Sequence, residues 1–263
     1  MKPRVVKIGG RPLGDPAWLS AFAAEAARSA TPLIVVHGGG TEIDALSERL
    51  GIEVERRDGK RVTTPAGLAV AGMVLSGSMN KRLVSALVSA GVDAIGISGE
   101  DAGLVQAELA ADGALGRVGE VVEVRAELLE KLLALGLMPV VSPISRGTDG
   151  GALNVNADDV AVAVASAVGA SELLFLTDVA AVRGEDGGDL AALAADEAEH
   201  LLAIGVVRDG MAVKVRAGLR GIAAGLTAVR IGGLNVLTES DAGTLLTPAG
   251  SDSVVSQLEE ALV

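Results

Sequence analysis

Residues 4–10 read Arg-Val-Val-Lys-Ile-Gly-Gly, and residues 33–40 read Leu-Ile-Val-Val-His-Gly-Gly-Gly. Each stretch is a short apolar run that ends in glycines, a pattern that predicts a buried strand followed by a tight corner. Glycine lets the backbone approach an anion closely. The segment after each corner has a helical pattern, so free N–H groups and the positive end of a helix dipole point at one place. Lys7 adds a full positive charge, and together these features predict a phosphate-binding site.

Apolar β-branched runs alternate with longer amphipathic stretches along the rest of the chain. The predicted strands are residues 4–8, 33–36, 93–97, 138–142, 172–177 and 228–231. The predicted helices are residues 16–29, 41–50, 65–90, 125–135, 156–168, 195–203 and 211–225. Val-rich pieces separated by glycine-containing turns predict hairpins at Val54–Val62 and Leu104–Val124. This alternation indicates an α/β fold, with a mainly parallel sheet covered on both faces and ligands at the carboxyl ends of its strands.

Composition excludes several classes of function. The 263 residues are enough for one large or two modest domains. A net charge of −12 and a pI near 4.7 disfavour nucleic acid and anionic membrane as partners. There is no cysteine, which removes disulfides, thiolate zinc sites and thiol nucleophiles, and we expect a cytoplasmic protein. One Trp, two Phe and no Tyr leave no platform on which bases could stack.

Three common motifs do not occur in the sequence. There is no phosphate-binding Gly-x4-Gly-Lys-Ser/Thr, because the only Gly-Lys pair, Gly59-Lys60, is followed by Arg61, and there is no dinucleotide fingerprint. His-Gly-Gly-Gly also forms the oxyanion corner of some α/β hydrolases, which makes a hydrolase the main rival. That fold needs Gly-x-Ser-x-Gly and a late catalytic histidine. Ser98 lacks the final glycine, and His200 lies in an acidic helix where we expect a surface residue.

The remaining chemistry therefore depends on lysine, glycine backbone, asparagine and aspartate. These groups suit phosphoryl transfer to an acceptor that is already a nucleophile. A side-chain carboxylate, with a pKa near ~4.3, needs no general base at neutral pH. The protein then has to align that carboxylate with ATP and to neutralise charge on the transferring phosphoryl group.

Seven motifs occur in order across nearly the whole chain and carry a resemblance to a known family. They are Lys7-Ile8-Gly9-Gly10, His37-Gly38-Gly39-Gly40, Arg61-Val62-Thr63, Asn80-Lys81, Asn154-Val155-Asn156-Ala157-Asp158, Leu176-Thr177-Asp178-Val179 and Asp209-Gly210-Met211-Ala212-Val213-Lys214. Each alone is weak, but together, with compatible spacing, they are specific. The chain resembles the acetylglutamate kinase branch of the amino acid kinase family.

The resemblance implies a three-layer αβα sandwich with a mainly parallel central sheet. It implies that residues 1–169 bind the acyl amino acid and carry a dimer interface, and that residues 170–263 bind ATP. The implied reaction converts N-acetyl-L-glutamate and ATP to the γ-acyl phosphate and ADP, a step of arginine biosynthesis. Magnesium (Mg²⁺) is carried by ATP, so no protein ligand to a metal is implied.

The same resemblance assigns roles to individual residues. Lys7 and Lys214 match the two lysines that stabilise the transferring phosphoryl group, and Asp158 matches the aspartate that holds both lysines. The residues matching the substrate site are Gly39, Gly40, Arg61 and Asn154. The residues matching the phosphate and ATP site are Gly9, Gly10, Thr177, Asp178, Val179, Arg183, Gly210 and Met211. A guanidinium fork such as that of Arg61 is well shaped for the substrate's α-carboxylate.

Some nearby polar residues are better explained by structure than by catalysis. We interpret His37 as a packed or hydrogen-bonding residue, and Asn80 and Lys81 as residues that fix packing or carry solvated charge. Asp159 is interpreted as an acid favoured by the dipole at a helix start, an effect of ~0.3 to 1 kcal/mol.

Several alternatives remain open. Within the family, the acceptor could be N-succinylglutamate, or aminoadipate or glutamate attached to an acidic carrier protein. A ligand-binding sensor without turnover is the non-kinase alternative. Arginine-inhibited members carry an extra amino-terminal helix that links dimers into hexamers, whereas this chain begins a few residues before its first strand. We therefore expect a homodimer without arginine feedback.

Overall fold

A computed structural model describes residues 1–57 and 60–250. The strands are β1 (Arg4–Ile8), β2 (Leu33–His37), β3 (Arg56–Arg57), β4 (Lys60–Arg61), β5 (Ala94–Gly99), β6 (Val105–Leu109), β7 (Val118–Val124), β8 (Met138–Gly147), β9 (Ala152–Val155), β10 (Glu172–Leu176), β11 (Val182–Arg183), β12 (Asp189–Leu190), β13 (Ala192–Ala194), β14 (Val229–Gly232) and β15 (Thr244–Thr247). The α-helices are α1 (Gly10–Leu13), α2 (Pro16–Arg28), α3 (Gly40–Arg49), α4 (Pro65–Gly72), α5 (Asn80–Ser89), α6 (Ala126–Ala134), α7 (Ala157–Ala167), α8 (Ala195–Ala203) and α9 (Asp209–Ala223).

One large sheet organises these elements. Its strand order is β13-β15-β14-β10-β1-β2-β8-β6-β7-β9, and β5 pairs with β8 beside this path. The pairs β14–β15, β6–β7 and β8–β9 are antiparallel, whereas β1, β2, β10, β14, β5 and β8 run parallel to their neighbours in the centre. The predicted α/β class with a mainly parallel sheet is confirmed.

Alternate residues of the central strands face two separate cores. On β1, Val5 packs into one apolar cluster with helices α6 to α9, and Val6 packs into the other with α2 to α5. Leu173 and Leu174 of β10 divide in the same way. A strand buried on both faces needs a continuous apolar run rather than alternation. β10 has one from Leu173 to Leu176, and in β1 only Lys7 interrupts the run from Val5 to Ile8. The molecule is therefore a three-layer αβα sandwich.

The register of the central strands places their carboxyl ends on one line. Ile8 lies opposite His37 on one side and opposite Leu176 on the other, and Leu176 lies opposite Gly232. The chain passes from β1 to β2 in one direction and later returns to β10 on the other side of β1. In such open sheets this reversal leaves a crevice at the carboxyl ends of the strands, where ligands bind.

Most predicted elements are confirmed, with corrections at their ends. The predicted helix 65–90 is divided by a π-helix at Met73–Met79, which contains Ser76, Gly77 and Ser78, residues that favour a regular α-helix poorly. The strand predicted at 138–142 extends to Gly147, and β9, β11, β12, β13 and β15 were not predicted. Both hairpins are confirmed as antiparallel pairs, although residues 58–59 of the first lie outside the described residues. In the described part of the chain, no helix is long and apolar enough to cross a membrane.

A cluster of charged side chains joins three neighbouring strands. Arg4 donates from Nε and Nη2 to Glu172 Oε2 at 3.0 and 2.7 Å. Arg230 of β14 donates from Nε to Glu172 Oε1 at 2.7 Å. The Arg4 guanidinium also donates to the carbonyls of Val236 and Leu237. One mostly buried carboxylate thus fixes β1, β10 and β14 to one another.

We expect Glu172→Ala to lower the free energy of unfolding by about 3 kcal/mol, because it leaves two mostly buried guanidinium groups without their anion. The measurement is urea unfolding at neutral pH. Glu127→Ala is the control, because the ion pair of Glu127 with Arg125 is exposed and should contribute little. Equal midpoints for the two variants would contradict this role of Glu172.

Candidate active site

The two glycine corners lie side by side at the carboxyl edge of the sheet. The Gly38 N–H donates to the Ile8 carbonyl at 3.0 Å, which ties the corner after β2 to the end of β1. Helix α1 begins at Gly10 and helix α3 begins at Gly40, so two helix starts follow these corners. A Cβ added at Gly39 would lie 2.9 Å from Leu75 Cδ2, so the space there admits only glycine without rearrangement.

Lys7 and Asp158 form a buried ion pair beside these corners. Lys7 Nζ lies 2.7 Å from Asp158 Oδ1, and the two residues are 8% and 6% exposed. Asp158 is in the first turn of α7, where the side chain of Asn156 caps the helix by accepting from the Asp158 N–H at 2.9 Å. Helix α7 packs directly against β1. The pair is therefore held rigidly, with each charge compensating the other.

A cavity of about 360 Å³ opens beside Lys7. All four residues predicted for the substrate site, Gly39, Gly40, Arg61 and Asn154, line it together with the predicted catalytic residue Lys7. Apolar side chains form part of the remaining wall, among them Ile43, Leu75, Pro143 and Val155. The charged residues of the lining are the cations Lys7, Arg56 and Arg61 and the acids Glu120 and Asp159. The excess of cations, together with the apolar surface, suits a small acidic molecule with an apolar substituent.

The Arg61 guanidinium is mostly buried and is fixed from two sides. Its Nη1 lies 2.7 Å from Asp44 Oδ1, and its Nη2 donates to the Gly40 carbonyl at 3.1 Å. Asp44 Oδ2 also accepts from Arg56 Nη2 at 2.8 Å, so this one carboxylate of α3 orients two guanidinium groups. Asp44 was not predicted from the sequence. The sequence signal that could have found it is an acidic residue one turn into the helix that follows the second glycine corner, four residues after Gly40.

Asn154 enters the cavity from β9. Its Nδ2 donates to Thr63 Oγ1 at 3.2 Å, and Thr63 is fully buried. Backbone bonds hold Thr63 on both sides, because its N–H donates to the Leu115 carbonyl and its carbonyl accepts from the Arg117 N–H. The segment after β4 is therefore tied both to β9 and to the loop before β7. This brings Arg61 and Asn154 to the same cavity.

Lys214 lies in the first half of α9. Its Nζ donates to the Gly210 carbonyl over 3.5 Å. Helix α9 packs on α7, and Arg220 Nη2 lies 2.7 Å from Asp159 Oδ1 across that contact. Asp159 lies in the first turn of α7, as the structural interpretation expects, and it also lines the cavity. That Asp158 holds Lys214 as well as Lys7 stays a prediction.

Most of the residues predicted for the phosphate and ATP site follow β10 or begin α9, and these are not among the residues that line the cavity. Thr177 is mostly buried, its N–H donates to the Gly232 carbonyl at 2.9 Å, and its hydroxyl donates to Asp178 Oδ1 at 3.1 Å. The side chains of Val179 and Arg183 are exposed. Gly9 lies between β1 and α1, and Gly210 and Met211 lie in the first turn of α9. Within residues 1–57 and 60–250, no group of three or more His, Asp or Glu is arranged to hold a metal ion.

Comparisons with known proteins agree with this geometry. The family model described as the amino acid kinase family matches residues 2–233. A relative from Chloroflexus aurantiacus named acetylglutamate kinase is 47% identical over 246 residues, which cover 92% of this chain and 96% of the relative. The crystal structure of smu.665 from Streptococcus mutans UA159 has a TM-score of 0.78 at 29% identity and covers 93% of this chain and 98% of that one.

A more distant solved structure shares the fold. The structure of Giardia carbamate kinase has a TM-score of 0.71 at 16% identity, and the match covers 94% of this chain and 99% of that chain. The family model covers most of the chain, and its range includes the glycine corners, Lys7, Asp158 and Lys214. The chain belongs to the amino acid kinase family.

Proposed function

We propose that this protein transfers the γ-phosphoryl group of ATP to the γ-carboxylate of N-acetyl-L-glutamate, a step of arginine biosynthesis. The observation that carries the proposal is the buried Lys7–Asp158 ion pair, whose lysine lines the same cavity as Arg61 and Asn154. A molecule with two carboxylates and one small apolar acyl group matches that distribution of charge. The name of the Chloroflexus aurantiacus relative supports this acceptor.

The proposed reaction needs no proton transfer. An oxygen of the γ-carboxylate attacks the γ-phosphorus, the bond between that phosphorus and the β,γ-bridging oxygen breaks, and ADP leaves with the electron pair. Lys7 and Lys214 neutralise charge on the transferring group, and the N–H groups of Gly10, Gly39 and Gly40 add donors there. Magnesium bound to the ATP phosphates neutralises further charge. Asp158 holds the Lys7 ammonium in one orientation.

The α-carboxylate of the acceptor is assigned to Arg61 and Asn154. Arg61 is already oriented by Asp44 and by the Gly40 carbonyl, so little side-chain entropy is lost when it binds a carboxylate. The apolar wall, which includes Leu75 and Pro143, is assigned to the acetyl group. An N-succinyl group brings a third carboxylate and a carrier-linked acceptor brings a protein surface, and both stay as alternatives to be tested.

The proposal extends to the organisation of the chain. Residues 1–169 form the lobe that binds the acyl amino acid and residues 170–263 the lobe that binds ATP, of which 251–263 lie outside the described residues. Thr177, Asp178, Val179, Arg183, Gly210 and Met211 are assigned to the nucleotide. We also propose a homodimer that works in the cytoplasm. The position of these residues at the ligand edge of the sheet supports the nucleotide assignment. The absence of cysteine supports the cytoplasmic location.

The acceptor is tested by trapping the acyl phosphate with hydroxylamine in the presence of ATP and magnesium. N-acetylglutamate, N-succinylglutamate, glutamate and a carrier-linked glutamate are offered in parallel. We expect product from N-acetylglutamate and little from the others, because the apolar wall assigned to the acetyl group favours a small apolar acyl group over a charged one or none. Product only from another acceptor would contradict the assigned substrate, and no product from any of them would favour the sensor.

We expect Lys7→Met to lower kcat by at least ~10²-fold, because it removes a cation aimed at the transferring phosphoryl group. Lys131→Met is the control, since Lys131 is an exposed lysine of α6 and should leave turnover unchanged. Lys7→Met leaves Asp158 buried without its cation, so thermal unfolding and ATP binding are measured in parallel to establish that the variant is folded. Lys7→Arg tests whether a positive charge alone is sufficient for turnover. A folded Lys7→Met variant with wild-type turnover would refute this role of Lys7.

A further inference from the structure

His37 is a fully buried, titratable residue that the proposed reaction does not use. It is the last residue of β2 and directly precedes Gly38, Gly39 and Gly40, which line the cavity. Its Nδ1 lies 3.1 Å from the Gly38 carbonyl, and its Nε2 lies 3.2 Å from Asn80 Nδ2. Both ring nitrogens are therefore engaged within the protein.

The partners of Asn80 determine which way its amide points. Asn80 Nδ2 lies 2.9 Å from the Val140 carbonyl, which can only accept. Asn80 Oδ1 lies 3.2 Å from Lys81 Nζ, which can only donate, and Lys81 Nζ also donates to the Gly96 carbonyl at 2.9 Å. The nitrogen of the amide must therefore face His37.

This orientation in turn fixes the proton on His37. Because the amide nitrogen of Asn80 is a donor, His37 Nε2 has to accept, and the proton of the neutral imidazole is on Nδ1. The Nδ1–H then donates to the Gly38 carbonyl. Burial lowers the pKa of His37 to about 4, so the ring is neutral at neutral pH. The charged side chain in this network, Lys81, contacts the amide and not the imidazole.

A fixed Gly38 carbonyl also fixes the N–H of the next residue. The peptide group is planar and trans, so the Gly39 N–H points away from the side on which the Gly38 carbonyl points. The Gly38 carbonyl accepts from the buried His37 ring, and Gly38, Gly39 and Gly40 all line the cavity, so we infer that the opposite edge of this peptide is the one that faces the cavity. Rotation of this peptide plane would replace an N–H donor in the cavity with a carbonyl oxygen, which repels a phosphoryl group.

We propose that His37 is a positioning residue that holds the Gly38–Gly39 peptide with the Gly39 N–H directed into the cavity. The inference rests on the proposed function, in which this N–H meets negative charge that grows during phosphoryl transfer. Asn80 and Lys81 orient the imidazole, and together the three side chains connect the glycine corner to α5, β5 and β8. His37 itself has no ring nitrogen left with which to touch the substrate.

The test compares His37→Leu with His37→Asn in the hydroxylamine assay. The leucine variant keeps much of the volume and loses the donor to the Gly38 carbonyl. The amide nitrogen of the asparagine variant can occupy the place of Nδ1 and keep that donor. Both variants lose the Nε2 acceptor, so a role in packing alone predicts similar kcat values for the two. Thermal unfolding and ATP binding establish that each variant is folded.

We expect His37→Leu to lower kcat by ~10²-fold, with the KM for ATP within ~3-fold of the wild type, since one oriented donor to the transition state is lost. His37→Asn should retain kcat within ~10-fold of the wild type. Equal kcat values for the two folded variants, or an unchanged kcat in His37→Leu, would overturn the inference. An inactive wild-type protein in the same assay would instead contradict the proposed function.

Discussion

The contact between Lys7 and Asp158 is the interaction around which the molecule is organised. A lysine and an aspartate that are each more than nine-tenths buried lie 2.7 Å apart, on a central strand and on the helix that covers it. Removing two charges from water costs several kcal/mol per ion and is compensated only when the geometry is fixed. The fold provides that geometry, because β1 is buried between β2 and β10 and α7 is capped by Asn156.

The other parts of the site follow from the same edge of the sheet. The aligned ends of β1, β2, β10 and β14 bring both glycine corners and the segment after β10 to one line. Residues that do not line the cavity then orient residues that do. Asp44 fixes Arg61, Thr63 fixes Asn154, and His37 fixes the Gly38–Gly39 peptide. In each case a residue outside the proposed substrate contacts holds one that we assign to them, in the manner that precise functional sites require.

The sequence predicted the parts of this arrangement that depend on local pattern. Three features could be predicted because a single stretch of chain determines each of them. They are the apolar runs that end in glycine, the first turn of α7, and the bounds of α8 at Ala195–Ala203. Strand β9 was missed because its alternation of apolar and polar residues covers only four positions, and the segment becomes a strand through pairing with β7 and β8. Asp44 and Thr63 were missed as supporting residues because their partners are distant in sequence. Contacts of this kind depend on the packed structure, and no periodicity reports them.

The most direct test of the account compares kcat for Asp158→Asn and Asp159→Asn with N-acetylglutamate and ATP. The two carboxylates are adjacent in the first turn of α7 and share the same helix dipole, but Asp158 pairs with Lys7, whereas Asp159 lines the cavity and pairs with Arg220. We predict that Asp158→Asn lowers kcat by ~10²-fold or more and that Asp159→Asn stays within ~3-fold of the wild type. Equal losses in the two folded variants, or full turnover in Asp158→Asn, would contradict the claim that the reaction depends on the orientation of Lys7 by Asp158.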